Sequence, residues 1–245
     1  MSAIVLIPAR MAARRLPGKP LADIGGTPMI VRVLRRALSA ATGRVVVAAG
    51  DAAIAEAVRA AGGEAVLTDP ALASGSDRIH AALEELDPAG RYETVVNLQG
   101  DMPFAPPPLI AACASLIDEQ PGCDIATLVA PESGSEDRSN PDVVKAVLAV
   151  TPGQSAGRAL YFTRSTLFGE GPVWRHIGLY AYRRAALTRF QAAPPSPLER
   201  REGLEQLRAL ELGLSVWAAI ADAAPLSVDT AADLEAARAY SRDHP

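Results

Sequence analysis

The chain has 245 residues, 49% of them apolar and 4% aromatic, with a formal net charge of −4. That length suits one large α/β domain or two small ones, and the acidic balance speaks against a nucleic-acid polymer as partner. Cys113 and Cys123 offer neither a disulfide framework nor a CxxC metal knuckle, as expected in a reducing cytoplasm. No run approaches the roughly 20 apolar residues of a membrane span, and Met1–Ile7 is too short for a signal core.

The run Ala3–Ile7 predicts a strand buried on both faces and ending at Pro8. Arg10, Arg14, Arg15 and Lys19 follow in a loop with Pro17, Gly18 and Pro20. Basic loops are often plain solvated surface. Here Lys19 is restrained between Gly18 and Pro20, and a cationic loop after a buried strand suits an anion at the sheet's C-terminal edge. Met29–Ala41 has a helical period. Arg44–Ala49 predicts a strand, Ala52–Ala61 a helix stopping at Gly62-Gly63, and Glu64–Leu67 a third strand. This alternation implies an α/β fold with a doubly wound, mostly parallel, Rossmann-like sheet.

Ser74 or Ser76 is placed to cap a helix over Ile79–Leu86, and Gly75 permits close approach of a ligand. Thr94–Leu98 predicts a strand running into Gln99-Gly100-Asp101. Asp101 is positioned either to bind Mg²⁺ or to cap a helix starting near Pro107, and its place past a buried strand favours the metal. Leu109–Ile117 is helical, and Asp124–Val129 and Val143–Val150 are apolar runs. Ala130–Pro141 and Thr151–Gly157 read as linkers. Lys145 reads as an exposed strand charge, Arg164 as a charge in the strand Arg158–Thr166, and His176 as a core histidine in the strand Trp174–Tyr182. Pro197 is a helix N1 residue capped by Ser196, with Leu198, Leu204, Leu207 and Leu210 on the buried face and Glu205 and Gln206 on the surface. Asp229-Thr230 reads as the N-cap of a helix over Ala231–Tyr240.

Six separated blocks resemble the sugar-acid cytidylyltransferases in order: IPAR…RLPGKPL, SGSDR, NLQGD, ALYFTR with RHIGLYAY, PSPLE…LEQLR, and VDT. The chain departs from that family at Ala49-Gly50, where Thr-Asp is common, and at Ala71-Leu72-Ala73, where an acidic residue and His often precede the serine block. The resemblance implies a nucleotide-diphospho-sugar transferase fold with an inserted α+β lobe near 130–182. It implies a homodimeric cytoplasmic enzyme that joins CTP to an acid sugar, 3-deoxy-manno-octulosonate (Kdo), with Mg²⁺ as cofactor and no membrane partner. Pro8, Ala9, Arg10, Lys19, Ser74, Gly75, Arg78 and Gln99 would meet the nucleotide. Gln99, Arg164, His176, Tyr180, Glu205 and Gln206 would meet the sugar. Asp101 and Asp229 would hold the metal, and with Arg10 and Lys19 they form the expected catalytic set. Another acid sugar, such as sialic acid or an amino-Kdo, is the alternative substrate. A non-catalytic nucleotide-binding regulator is the alternative class.

Overall fold

The computed structural model describes residues 2–12, 15–132, 138–167 and 171–243. Its strands are β1 (Ala3–Ala9), β2 (Asp23–Ile24), β3 (Thr27–Pro28), β4 (Arg44–Ala49), β5 (Glu64–Leu67), β6 (Thr94–Asn97), β7 (Ile125–Pro131), β8 (Lys145–Ala149), β9 (Ala156–Thr163), β10 (Trp174–Arg183) and β11 (Val216–Ile220). The described helices are α1 (Met29–Ser39), α2 (Ala52–Ala60), α3 (Gly75–Leu86), α4 (Pro107–Glu119), α5 (Arg184–Ala192), α6 (Pro197–Glu202), α7 (Gln206–Glu211) and α8 (Ala231–Asp243). They fall into two compact units, Met1–Ala111 with Pro225–Pro245, and Ala112–Ala224. The lobe expected near 130–182 lies within the second. Arg14 and residues 133–137 of the expected Ala130–Pro141 linker lie outside the described residues.

In the first unit β5, β4, β1 and β6 lie side by side in that order, all parallel. Ile4, Val5, Leu6 and Ile7 are wholly buried, as a central strand covered on both faces requires. The strand continues past the expected stop at Pro8. Leu6 accepts the Leu98 N–H at 3.1 Å, so Pro8, two residues on, faces the same side. Pairing with β6 has ended by then, at Leu6 opposite Asn97, and the missing proline N–H costs no ladder bond. The chain moves outward from β1 to β4 and β5, then returns to β6 on the other side of β1. That reversal opens a crevice at the C-terminal ends of β1 and β6.

A small core beside this edge joins Ile24, Met29, Phe104, Val228, Leu234 and Ala237. It packs the hairpin β2–β3, the loop after β6 and helix α8 together. The Val228 N–H donates to the Asp101 carbonyl at 2.9 Å, so the segment before α8 is stitched to the loop after β6.

The second unit, which contains the stretch expected as an inserted α+β lobe, is mostly antiparallel. Its strands run β10, β7, β11, β9, β8, and β8 pairs back to β10, which closes a five-stranded ring among the described residues. Only β7–β11 is parallel; β10–β7, β11–β9, β9–β8 and β8–β10 are antiparallel. The turn between β8 and β9, closed by Gln154 N–H on the Thr151 carbonyl at 3.1 Å, is long enough for a hairpin and too short for a parallel crossover. The helix expected to run from Pro197 is also interrupted. Gly203 ends α6 at φ 66°, a left-handed value that glycine adopts without strain, and α7 begins afresh at Gln206.

Candidate active site

The first unit carries a pocket of about 260 Å³ at the β1–β6 crevice, lined by Pro8, Ala9, Arg10, Lys19, Ser74, Gly75, Arg78, Gln99 and Asp101, with Pro20 and Gly100. Every residue expected on the nucleotide side lines this pocket. The basic loop is pinned at both ends. Met11 accepts the Gly18 N–H at 3.1 Å, and the Met11 N–H donates to Asp51 Oδ2 at 2.8 Å. Gly18 sits at φ 73° and turns the chain into the Lys19–Leu21 turn.

Ser74 is the cap of α3, and it forms a reciprocal capping box with Asp77. The N-terminus of this helix faces the pocket through Ser74 and Gly75, an arrangement suited to anions. A Cβ on Gly75 would lie 3.2 Å from Pro8 Cγ and 3.4 Å from Gln99 Oε1, so the helix start and the β1 edge approach closely because of this glycine. Arg10 Nη1 donates across to the Leu72 carbonyl at 3.1 Å. Arg78 is buried, with Nη1 donating to Thr68 Oγ1 at 2.6 Å and the Asp69 carbonyl at 3.1 Å. Burial, and next the charge of Arg10, lower its pKa.

Lys19 organises the acidic side. Its Nζ donates to Asp101 Oδ2 at 3.1 Å, Asp229 Oδ1 at 3.1 Å and the Val228 carbonyl at 2.9 Å. Arg15 Nη2 adds a contact of 3.1 Å to Asp229 Oδ2. Burial raises the Asp101 pKa against the opposing charge of Lys19, and the nearby Asp229 adds to the rise. Neither carboxylate caps a helix in these contacts. Thr230 caps α8: its Oγ1 accepts the Asp233 N–H at 3.2 Å, and Asp233 Oδ2 accepts the Thr230 N–H at 2.8 Å. The expected Asp229-Thr230 cap thus belongs to Thr230, which leaves the Asp229 carboxylate to Lys19 and Arg15.

Two carboxylates converging on one ammonium define a position built for a cation. No group of three or more His, Cys, Asp or Glu that could hold a metal occurs among the described residues. A pair of carboxylates, completed by phosphate oxygens and water, is the usual protein share of a Mg²⁺ site. The donor set fits that ion.

The second unit holds the remaining expected residues. His176 Nε2 lies 3.0 Å from Thr127 Oγ1, which also reaches the carbonyls of Ile177 and Leu179 at 3.2 and 2.9 Å. The hydroxyl has one proton for the two carbonyls and the imidazole, so its role toward Nε2 follows the ring tautomer. Burial lowers the His176 pKa to about 4. The ring centroid lies 5.0 Å from Phe162 and 5.4 Å from Tyr180. Burial and the charge of Glu205 raise the Tyr180 pKa, which links Tyr180 to the Glu205-Gln206 corner at the start of α7. Arg208 holds that corner, pairing in a bidentate fork with Glu199 at 2.8 Å and reaching Glu205 Oε1 at 3.4 Å. Arg164 makes different contacts. It is the first residue past β9, not a strand residue, and its Nη1 donates to the Pro141 carbonyl at 2.9 Å.

Several contributors were not legible in the sequence. Asp51 looks like the cap of α2 but makes no such bond and holds the basic loop instead. Thr127 and Arg208 sit in runs that read as ordinary strand and helix. Arg15 did carry a signal, as one of the loop cations.

The cytidylyltransferase family model matches residues 4–216. A 3-deoxy-manno-octulosonate cytidylyltransferase of Parvibaculum lavamentivorans is 61% identical over 238 residues, 96% of this chain and 91% of that protein. The chain belongs to the 3-deoxy-manno-octulosonate cytidylyltransferase family. The namesake of Rhodospirillum rubrum is 58% identical over 96% of this chain and 94% of its own length. Among solved structures, a CMP:2-keto-3-deoxy-manno-octonic acid synthetase complexed with CTP matches with a TM-score of 0.91 at 36% identity, covering 100% of both chains. A nucleotidyl transferase from Methanothermobacter thermautotroptrophicus, at 14% identity and a TM-score of 0.65, shares the mixed α/β fold.

Proposed function

We propose that the enzyme transfers the cytidylyl group of CTP to Kdo, giving CMP-Kdo and diphosphate, for lipopolysaccharide biosynthesis. The observation that carries this reading is the convergence of Asp101 and Asp229 on Lys19 at the edge of a pocket walled by Arg10 and the α3 N-terminus. Family membership over nearly the whole chain supports the choice of substrates. We read the first unit as the Rossmann-like, doubly wound core of a nucleotide-diphospho-sugar transferase. Under this reading the enzyme works in the cytoplasm as a homodimer, with residues near 130–182 at or near the interface.

The anomeric hydroxyl oxygen of the sugar attacks the α-phosphorus, the bond from that phosphorus to the α–β bridging oxygen breaks, diphosphate leaves with the electron pair, and the hydroxyl proton passes to water. No protein nucleophile is needed, so the chain's work is positioning and charge stabilisation. Arg10 and the α3 N-terminus meet the phosphates, with Ser74, Gly75 and Arg78 on the nucleotide side. Pro8 and Ala9 supply backbone and apolar wall. Asp101 and Asp229 would hold Mg²⁺, and the chemistry supplied by that ion is polarisation of the α-phosphate and activation of the attacking hydroxyl. Lys19 lies against both carboxylates and would bring positive charge to the phosphates. The Arg164 guanidinium suits the sugar carboxylate. His176, Tyr180, Gln99, Glu205 and Gln206 contribute further polar contacts to the sugar.

The test is diphosphate release from CTP and Mg²⁺ with a panel of Kdo, an amino-Kdo and sialic acid. The reading expects the highest kcat/KM with Kdo. A preference for another acid sugar would change the substrate, and no turnover with any would favour a nucleotide-binding regulator.

A further inference from the structure

Lys145 was expected to be an exposed strand charge, yet it is fully buried at the start of β8. A buried ammonium is costly unless it is bonded. Its Nζ donates to the carbonyl of Asn140 at 2.7 Å and to that of Arg164 at 2.8 Å. Glu202, the last residue of α6, approaches the same residue from the other side. Its Oε2 accepts the Arg164 N–H at 3.1 Å and the Thr163 hydroxyl at 3.2 Å. The peptide groups on both sides of the Arg164 Cα are thus bonded to side chains of opposite charge, the N–H to a carboxylate and the C=O to an ammonium.

The far end of the Arg164 side chain meets the residue next to the other carbonyl that this ammonium holds. Arg164 Nη1 rests on the Pro141 carbonyl at 2.9 Å, and Pro141 follows the Asn140 that Lys145 bonds. Lys145 thus bonds the backbone at the root of the Arg164 side chain and the backbone one residue from its tip. An apolar side chain would fill the position of Lys145 at lower desolvation cost, so packing alone does not account for a lysine there.

We propose that Lys145 and Glu202 are positioning residues that set the backbone and reach of Arg164 for the carboxylate of the acid sugar. This rests on the reading of Arg164 as a sugar-binding residue. The test measures KM for Kdo and for CTP separately in folded Lys145→Met, Glu202→Met, Arg164→Ala and the double variant Lys145→Met/Arg164→Ala. Lys145→Met and Glu202→Met should each raise the Kdo KM by about tenfold or more, leave the CTP KM within about twofold, and respond to pH as wild type does. In the Arg164→Ala background Lys145→Met should add nothing, since both act through one group. Should Lys145→Met fail to fold, Glu202→Met carries the same comparison from the more accessible side. Equal rises in both KM values, a wild-type Kdo KM in either clamp variant, or a full additional loss in the double variant would overturn the proposal. A wild-type Kdo KM in Arg164→Ala would instead strike the sugar role of Arg164 itself, and the positioning proposal with it.

Discussion

The two units place their site charges differently. In the first, Lys19, Asp101 and Asp229 pair with one another directly while partly exposed, at 15%, 25% and 39%, beside the buried Arg78. In the second, the strongest charges are hidden. Lys145 and Arg208 are buried, and they bond to backbone and carboxylates that present other residues. His176 is neutral. On the proposed reading, a site for phosphates and a cation uses exchangeable charge at a strand edge, and a site for a polyhydroxylated acid uses donors and acceptors held at fixed angles by buried charges.

The comparison breaks first at Asp229. Asp229→Asn should lower turnover by about 100-fold or more, the scale of losing a charge stabiliser of the transition state. Its thermal stability should stay near wild type, because Thr230 and Asp233 carry the cap of α8. A large stability loss with modest kinetic change would reverse the assignment. Next is Lys19→Met, expected to lower turnover by about 10- to 100-fold, the roughly 1.5–3 kcal/mol of a charged hydrogen bond, with the Kdo KM little changed. A selective rise in the Kdo KM would blur the division between the units.

The smallest effect is one of pH on the second unit. Buried His176 holds its pKa at about 4, below its ordinary 6.5, so the unfolded chain takes up that proton first as pH falls. The stability contributed by neutral His176 is complete above pH ~6.5 and is lost as pH falls towards ~4, by at most about 3 kcal/mol. Urea denaturation of wild type and His176→Asn between pH ~7.5 and ~4.5 should show a shallower decline in the variant. Parallel declines would mean that His176 keeps ordinary solvation.

The same contrast explains what could be read from sequence. The parallel unit was legible because each strand is a short apolar run bounded by punctuation, such as Gly62-Gly63 after α2 and Ser74 before α3, and its polar residues fall just past strand ends. The ring was not. Antiparallel closure depends on which strands meet, and nothing local in Val143–Val150 says that Lys145 points inward. Gly203 was visible as a helix breaker, yet the apolar period continued through Leu204 and Leu207 and masked the break. The metal role proposed for Asp229 comes from resemblance alone, since Asp and Thr before a helix both serve as caps, and choosing between them takes the Thr230–Asp233 geometry. Asp51 and Arg208 act on segments distant in sequence or across a turn, which no local pattern encodes.

The central claim is that Asp101 and Asp229 act as one cation site. A double-mutant cycle of Asp101→Asn and Asp229→Asn, read as Mg²⁺-dependent diphosphate release from CTP and Kdo, tests it most directly. If the carboxylates hold one ion, each single variant removes the site and the double variant is no slower than the worse single. Losses that multiply would mean two independent roles and would contradict the shared site.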